Sequence, residues 1–206
     1  MPTPTEQFAA ALKLHSSDFG VELDTKDIAL LQNYYALLLK WNSSLHLVAP
    51  CTPEEFATRH VLESLLMLRH LPPKASVADL GSGAGLPIIP CLIVRPDLGV
   101  TLFEASQKKS VFLNEALRMV QRGNRAMVAN ARFENVVAPT VEFVTCRALD
   151  KFGKLLPLII EWAPKDATFL FFVGSSLKEK IETLLRETQQ LKIPQASRRF
   201  LLSGRK

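Results

Sequence analysis

Apolar residues return every three to four positions through the first part of the chain, and then the rhythm changes. Over roughly the first 70 residues this spacing predicts helices. One helix is expected over residues 5–16. A second starts with Asp24 or Thr25 as its N-cap and runs to about Trp41, with Ile28, Leu31, Tyr35, Leu38 and Leu39 on one face. Trp41, at the end of that face, reads as core. A third follows Thr52, with Pro53 in its first turn and Glu54-Glu55 at the positive helix end, and stops near His70 before Pro72-Pro73. From Ser76 onward short apolar runs alternate with amphipathic stretches. Strands are expected at 76–80, 99–104, 125–129, 141–146 and 167–173, and helices at 87–94, 107–121, 150–162 and 177–190. The tail, Lys192 to Lys206, supplies one or two last strands, with 198–202 as the edge.

Alternating strands and helices imply a mostly parallel sheet covered on both faces, an α/β fold of Rossmann-like type. The helical stretch, residues 1–72, forms an extension packed on a sheet domain of residues 73–206, one compact unit in all. Such sheets bind ligands at the carboxyl ends of their strands. The positions just after each strand are therefore the site candidates: Gly81 to Leu86, Glu104, Asn130 to Glu134, and Arg147.

The run Val77-Ala78-Asp79-Leu80-Gly81-Ser82-Gly83-Ala84-Gly85-Leu86-Pro87 carries the most chemistry. An apolar strand ends in glycines at alternate positions, 81, 83 and 85, and a helix can begin at Pro87. Glycine lets the backbone turn sharply and approach a ligand closely. Free N–H groups at a helix start favour an anionic group. The pattern reads as a site for a nucleotide-type cofactor. A dinucleotide fingerprint needs G-x-G-x-x-G, and Leu86 stands where its last glycine would fall. Glu104 follows Gly81 by 23 positions at the end of another apolar run. An acid about 20 residues on accepts hydrogen bonds from ribose hydroxyls in such sites. Asp79 meets a ligand's amino group, or else braces the loop or stays exposed.

Composition narrows the class further. The 206 residues are 48% hydrophobic, enough for a full core, with a formal net charge of +5 that is compatible with an acidic polymer as partner. No apolar run reaches the roughly 18 residues of a membrane helix, and the first residues lack the pattern of a signal peptide. A cytoplasmic protein without a membrane partner is expected. Cys51, Cys91 and Cys146 form no C-x-x-C pair and share no ligand spacing with the histidines, so reduced buried thiols and no metal are expected. A monomer is the default.

The glycine run itself resembles the first motif of S-adenosylmethionine-dependent methyltransferases. Longer strings point to one family among them. Leu39-Lys40-Trp41-Asn42, Arg59-His60-Val61-Leu62-Glu63-Ser64, Gly81 to Pro87, Lys108-Lys109 with Phe112-Leu113, and Cys146-Arg147-Ala148 together resemble the glucose-inhibited division protein B family. The likeness runs from about residue 30 to the C-terminus. It implies a class I S-adenosylmethionine-dependent methyltransferase with a helical N-terminal extension that modifies a guanine N7 in small-subunit (16S) ribosomal RNA. It also implies cofactor contacts at Gly81, Leu86, Phe133, Glu134 and Arg147, beside those read from the pattern at Gly83, Gly85 and Glu104. It implies an RNA-facing positive surface that includes Arg132, Arg147 and Arg199. Arg147 is the expected catalytic group, shaping the cofactor and base pocket, or else a strand-end ion pair with Glu134 or Asp79. His60 is kept beside the RNA-binding residues as a supporting group. The chain departs from the family at Pro87-Ile88-Ile89-Pro90 for P-G-I-P, Glu63 for Asp, Val173-Gly174 for Lys-Gly, and His46-Leu47-Val48 for N-L-T. A methyltransferase acting on a small molecule or protein, and a cofactor-binding module without catalysis, are the alternatives.

Overall fold

A computed structural model describes residues 1–120, 125–147 and 152–206. The last residue of the helix placed at 107–121, the first residues of the helix placed at 150–162, and Ala148 lie outside the described residues.

Three helical stretches lead the chain. The first, α1 (Pro4–His15), and the second, α2 (Thr25–Leu45), both open on capping boxes, Thr3 with Glu6 and Asp24 with Asp27. The third opens on a box too, Thr52 with Glu55, at α3 (Pro53–Glu55). It continues as a π-helical segment, Phe56–Leu62, then α4 (Glu63–Leu65), then a 3-10 segment, Leu66–His70. The expected single helix is thus one continuous path that widens at its middle. Second, α2 outruns its expected end at Trp41 and stops at His46, whose φ of 49° is left-handed.

The sheet follows with β1 (Ser76–Leu80), α5 (Ile88–Val94), β2 (Gly99–Phe103), α6 (Gln107–Val120), β3 (Arg125–Ala129), β4 (Phe143–Cys146), α7 (Phe152–Trp162), β5 (Thr168–Gly174), α8 (Ser175–Glu182), β6 (Arg186–Lys192) and β7 (Arg199–Arg205). Strand order is β3-β2-β1-β4-β5-β7-β6. Five strands run parallel, and β7 pairs antiparallel with both β5 and β6. The order reverses beside β1, which sits between β2 and β4. In a parallel sheet, a crevice opens at such a switch point beyond the carboxyl ends of the strands.

Two expectations fail at the C-terminal end. The helix placed at 177–190 stops at Glu182, and residues 186–192 form β6 instead. Arg-Glu-Thr-Gln-Gln-Leu-Lys suits a helix locally, but β7 offers an antiparallel partner, interrupted by a register shift between Arg186 and Gln189, and pairing overrides propensity. The edge also moves. Residues 199–205 lie inside the sheet, with Leu201 and Leu202 fully buried, and the polar β6 takes the solvated edge.

One apolar core joins the helical extension to the sheet. Phe8, Leu12, Leu31, Tyr34, Leu38, Phe56 and Leu62 are continuous with Val77, Ile88, Ile89, Leu102 and Phe112. Phe56 is the hub of its aromatic part, with Tyr35 at 4.7 Å, Phe8 at 5.8 Å and Tyr34 at 6.5 Å between ring centroids. A second cluster covers the other face through α7, α8 and Phe169, Phe171 and Trp162. No helix among the described residues is long and apolar enough to cross a membrane.

A shared core predicts shared melting. Phe56→Ala is expected to cost about 3–5 kcal/mol and to lower the stability of extension and sheet in one urea transition. Two separate transitions, followed by Trp41 and Trp162 fluorescence in single-tryptophan variants, would sink the shared core.

Candidate functional site

The glycine loop is fixed from three directions. The N–H groups of Gly81 and Ser82 donate to Phe103 O at 2.9 and 3.0 Å, which ties the loop to β2. Gly85 N–H donates to Ser82 O at 2.6 Å and closes the turn. The buried hydroxyl of Tyr34 donates to Ala84 O at 2.6 Å and hangs the loop from α2. Gly81, Gly83 and Gly85 have φ of 69°, 51° and 82°, a region that other residues enter only with strain. Two of these glycines differ in purpose. A Cβ on Gly85 would collide with the Ile89 side chain, so this glycine serves helix packing. A Cβ on Gly83 would meet only Gly81 O, at 3.7 Å, so its bareness leaves room for a ligand. The expected anion site at the helix start is not built: Gly85 O takes the Ile89 N–H at 2.7 Å, inside a helix of seven residues.

A cavity of about 580 Å³ opens over this loop. Gly81, Gly83, Leu86, Glu104, His60 and Arg147 all line it, so six of the expected residues converge. Leu47, Val48, Ala49 and Lys109 complete its walls. A smaller hollow of about 100 Å³ shares Gly81 and Ala105 with it and holds Arg132, Phe133 and Glu134. Phe133 is buried and meets Trp162 edge-on, with centroids 5.5 Å apart. Arg132 is exposed and lies 3.5 Å from Glu134. Gly85 is behind the loop, and Arg199 does not reach the cavity lining.

Glu104 is placed to accept. One carboxylate oxygen takes the Gly83 N–H at 2.9 Å and the other the Ser106 N–H at 2.8 Å. Each oxygen keeps a second lone pair toward the cavity for a diol donor. Beneath the loop, Asp79 is fully buried, and neither of its carboxylate oxygens has a hydrogen-bond partner. Burial pushes its carboxyl up to about 7, and Glu104 adds to the rise. An uncompensated buried acid calls for a positive partner. Open space at Gly83, free lone pairs on Glu104 and the acid below the loop fit a nucleoside that carries a cationic centre.

Arg147 behaves differently from the expected catalytic group. Its guanidinium donates to His60 O at 3.2 Å, Ser64 Oγ at 3.1 Å, Glu63 Oε2 at 3.1 Å and the carbonyl of Arg59, and it stands 5.3 Å from the Phe172 ring centroid. Neither Glu134 nor Asp79 is its partner. Arg199 grips the other side of Glu63, with contacts of 2.7 and 2.9 Å. Glu63 is 2% exposed. Burial raises its carboxyl and the guanidinium groups of Arg147, Arg199 and Arg59 oppose that rise. The motif Arg59-His60-x-x-Glu63-Ser64 is therefore a receptor for Arg147, and the π-helical segment supplies two of its carbonyls. His60 itself is pushed down to about 4 by burial and by Arg147, Arg59 and Arg199, so its imidazole is neutral near pH 7.

Five site residues escaped the sequence reading. Tyr34 lies in an apolar helical stripe, and only the rule that a buried hydroxyl needs a partner pointed at it. Leu47 to Ala49 stand outside any periodic element. Lys109 belongs to a string already noted, without a pattern that aims it at the cavity.

Fold and site together define a class I methyltransferase with S-adenosylmethionine as cofactor. Among solved structures, TYW2 of M. jannaschii in complex with AdoMet has the same fold at a TM-score of 0.56 and 16% identity, over 70% of this chain and 74% of that one. The ribosomal protein L11 methylase of Lactobacillus delbrueckii subsp. bulgaricus has a TM-score of 0.56 at 18% identity, over 72% and 79%. The family model of rRNA small subunit methyltransferase G matches residues 27–205. Ribosomal RNA small subunit methyltransferase G of Xanthomonas oryzae pv. oryzae is 39% identical over 178 residues, 84% of this chain and 83% of that protein. Its namesake in Xanthomonas campestris pv. campestris is 44% identical over 163 residues, 79% and 76% of the two chains. The chain belongs to the rRNA small subunit methyltransferase G family.

Two outcomes test the site. Gly83→Ala is expected to fold near wild-type stability, with only the left-handed backbone strain of about 1–2 kcal/mol, and to lose cofactor affinity in calorimetry. Gly85→Ala should lose several times more stability in urea. Equal behaviour of the two would remove the division of roles. For Asp79, the folded carboxyl titrates near 7 against an ordinary value of 3.8, so its protonated form stabilises the fold at low pH and that stability is lost as pH rises toward 7. Without cofactor, Asp79→Asn should therefore gain on wild type progressively from pH 4 to pH 7 and level off above it. A difference in denaturation midpoint that ignores pH would contradict the buried charge.

Proposed function

We propose that this chain transfers a methyl group from S-adenosylmethionine to N7 of a guanine in small-subunit ribosomal RNA. The observation that carries the reading is the bare, propped glycine loop between Glu104 and the uncompensated Asp79, at the head of a sheet whose helical extension builds the far wall of the cavity. When bound, S-adenosylmethionine supplies an electrophilic methyl on a sulfonium. Glu104 would hold the ribose diol, Gly81, Gly83 and Leu86 would pass the chain of the cofactor, and Phe133 with Glu134 would flank its base in the smaller hollow.

Guanine N7 carries an in-plane lone pair and no proton, so the reaction asks the protein for alignment and for no general base. The groups at the cavity agree with that. His60 is neutral, with its carbonyl engaged by Arg147. Four of the five N–H donors of Arg147 are spent on Arg59, His60, Glu63 and Ser64. We therefore read Arg147 as a positioning residue that holds the 59–64 segment against the cavity, in place of a group that touches the reacting atoms. Arg132, exposed beside the smaller hollow, suits an RNA phosphate, whereas Arg199 is held by Glu63. The extension, 1–72, and the sheet domain, 73–206, act as one unit, a monomer in the cytoplasm.

Incubation with labelled S-adenosylmethionine and ribosomal subunits that lack the modification tests the reading. Label is expected in the small-subunit RNA, at a base that becomes sensitive to reductive cleavage at N7-methylguanine. Tight cofactor binding without label in RNA would overturn it. Arg147→Ala leaves Glu63 with one partner fewer and should cost about 3–5 kcal/mol of stability along with most of the transfer rate. Unchanged transfer at unchanged cofactor affinity would end the case for Arg147.

A further inference from the structure

The loop that follows α2 forms a wall of the main cavity that the cofactor contacts proposed above do not use. Leu47, Val48 and Ala49 line it, and all three are aliphatic. Ala49 and Pro50 are exposed, so the wall runs from the cavity out to the surface. Among the described residues, no backbone–backbone hydrogen bond reaches positions 47–51. What holds the segment is one side chain. Asn42 Oδ1 accepts the Val48 N–H at 2.9 Å, and Asn42 Nδ2 donates to Val48 O at 3.1 Å. This two-way pairing imitates a rung of a β-ladder. Leu47 and Val48 add apolar contact with the core.

An enzyme that does chemistry on a base must take that base out of its stack and grip it between apolar surfaces and polar groups. The remaining free wall of this cavity has that character. On the sheet side, Glu104 and the glycine loop present hydrogen-bonding groups, and the hollow at Phe133 leads off past Gly81 and Ala105. On the extension side stands the aliphatic segment, while Lys109 of α6 joins the sheet side of the same lining. A charged phosphate gains nothing from Leu47 and Val48, and a planar heteroaromatic ring gains contact area.

We infer that the Leu47–Ala49 segment is the surface on which the acceptor guanine seats, and that Asn42 is the residue that positions it. The inference rests on the RNA methyltransferase reading and deepens it. Asn42 touches neither cofactor nor base in this account. It fixes the wall, and the wall fixes the distance of the ring from the methyl donor.

The test uses the full chain, calorimetry with S-adenosylhomocysteine, and steady-state transfer to unmodified small subunits. Asn42→Ala is expected to leave the Kd for S-adenosylhomocysteine within about twofold while kcat/KM for the RNA substrate falls by about tenfold or more. Asn42→Asp keeps the acceptor for the Val48 N–H and loses the donor, so it should fall between wild type and Asn42→Ala. Ala49→Phe serves as the second variant. Its position is exposed, and the added ring should block the acceptor with the same split. Loss of cofactor affinity in step with transfer in both variants would assign the wall to the cofactor and overturn the inference. So would unchanged transfer in both. Wild-type protein that binds S-adenosylhomocysteine and fails to label RNA refutes the RNA methyltransferase reading, and this inference with it. Wild-type labelling with indifferent variants refutes the inference alone.

Discussion

Glu63 held between Arg147 and Arg199 is the contact on which the arrangement depends. It joins three parts of the chain that are distant in sequence: the helical extension, the end of β4 and the start of β7. A carboxylate that is 2% exposed does not stay ionised unaided. Two guanidinium groups supply the compensation, and Ser64 with the carbonyls of Arg59 and His60 take three more donors of Arg147. Breaking such a set by removing one partner is worth about 3–5 kcal/mol. The geometry also carries information. Arginine's planar fork fixes direction as well as distance, so the 59–64 segment can sit against β4 in one way only. Two positive groups around one negative leave this side of the cavity with an excess of positive charge, and that excess helps to hold His60 neutral.

The opposite side has the opposite sign. Glu104 is braced by backbone N–H groups, and Asp79 lies under the glycine loop without a partner. The lining therefore carries Arg147 on one side and Glu104 on the other, with Lys109 also in the wall. A zwitterionic ligand with a cationic centre is oriented by such a field before any close contact forms. Asp79 sits in the fold as a carboxyl raised to about 7 by burial and by Glu104.

What the sequence revealed was local. The N-cap at Asp24, the helix start after Thr52, the alternation after Ser76, and the glycine turn with Glu104 23 residues on are short-range patterns, and each sits where expected. The misplaced pieces are those decided by distant partners. Residues 186–190 have helical composition but sit beside an open strand, and the ladder with β7 decides their state. Arg147 stands at the right place for a catalytic group, yet its partner is Glu63, 84 residues away in the chain. Tyr34 and Ala84 are 50 apart. Spacing rules see one element at a time, and a side chain that crosses between elements leaves no period to detect. The family strings did carry these contacts in compressed form: Arg59 to Ser64 and Cys146-Arg147 are the two halves of one clasp.

A methyl acceptor with no proton to lose changes what a site must supply. In proton-transfer enzymes a residue with a tuned pKa carries the rate, and a mobile charge near the reacting atoms is useful. Here a base would have nothing to remove, and a cation near N7 would oppose the positive charge that develops on the ring. The protein instead benefits from walls that do not move. Every feature around the cavity works in that direction. Tyr34 suspends the glycine loop from α2, Asn42 fastens the aliphatic segment, and Arg147 locks the π-helical turn. All three struts originate in, or reach into, the helical extension. The extension is thus half of the reaction vessel rather than an appendage, and this explains why its core is continuous with that of the sheet. A separable extension would let the distance between donor and acceptor drift. Misplacement by about 1 Å can cost a hundredfold in rate, which is more than any single hydrogen bond at the site would restore.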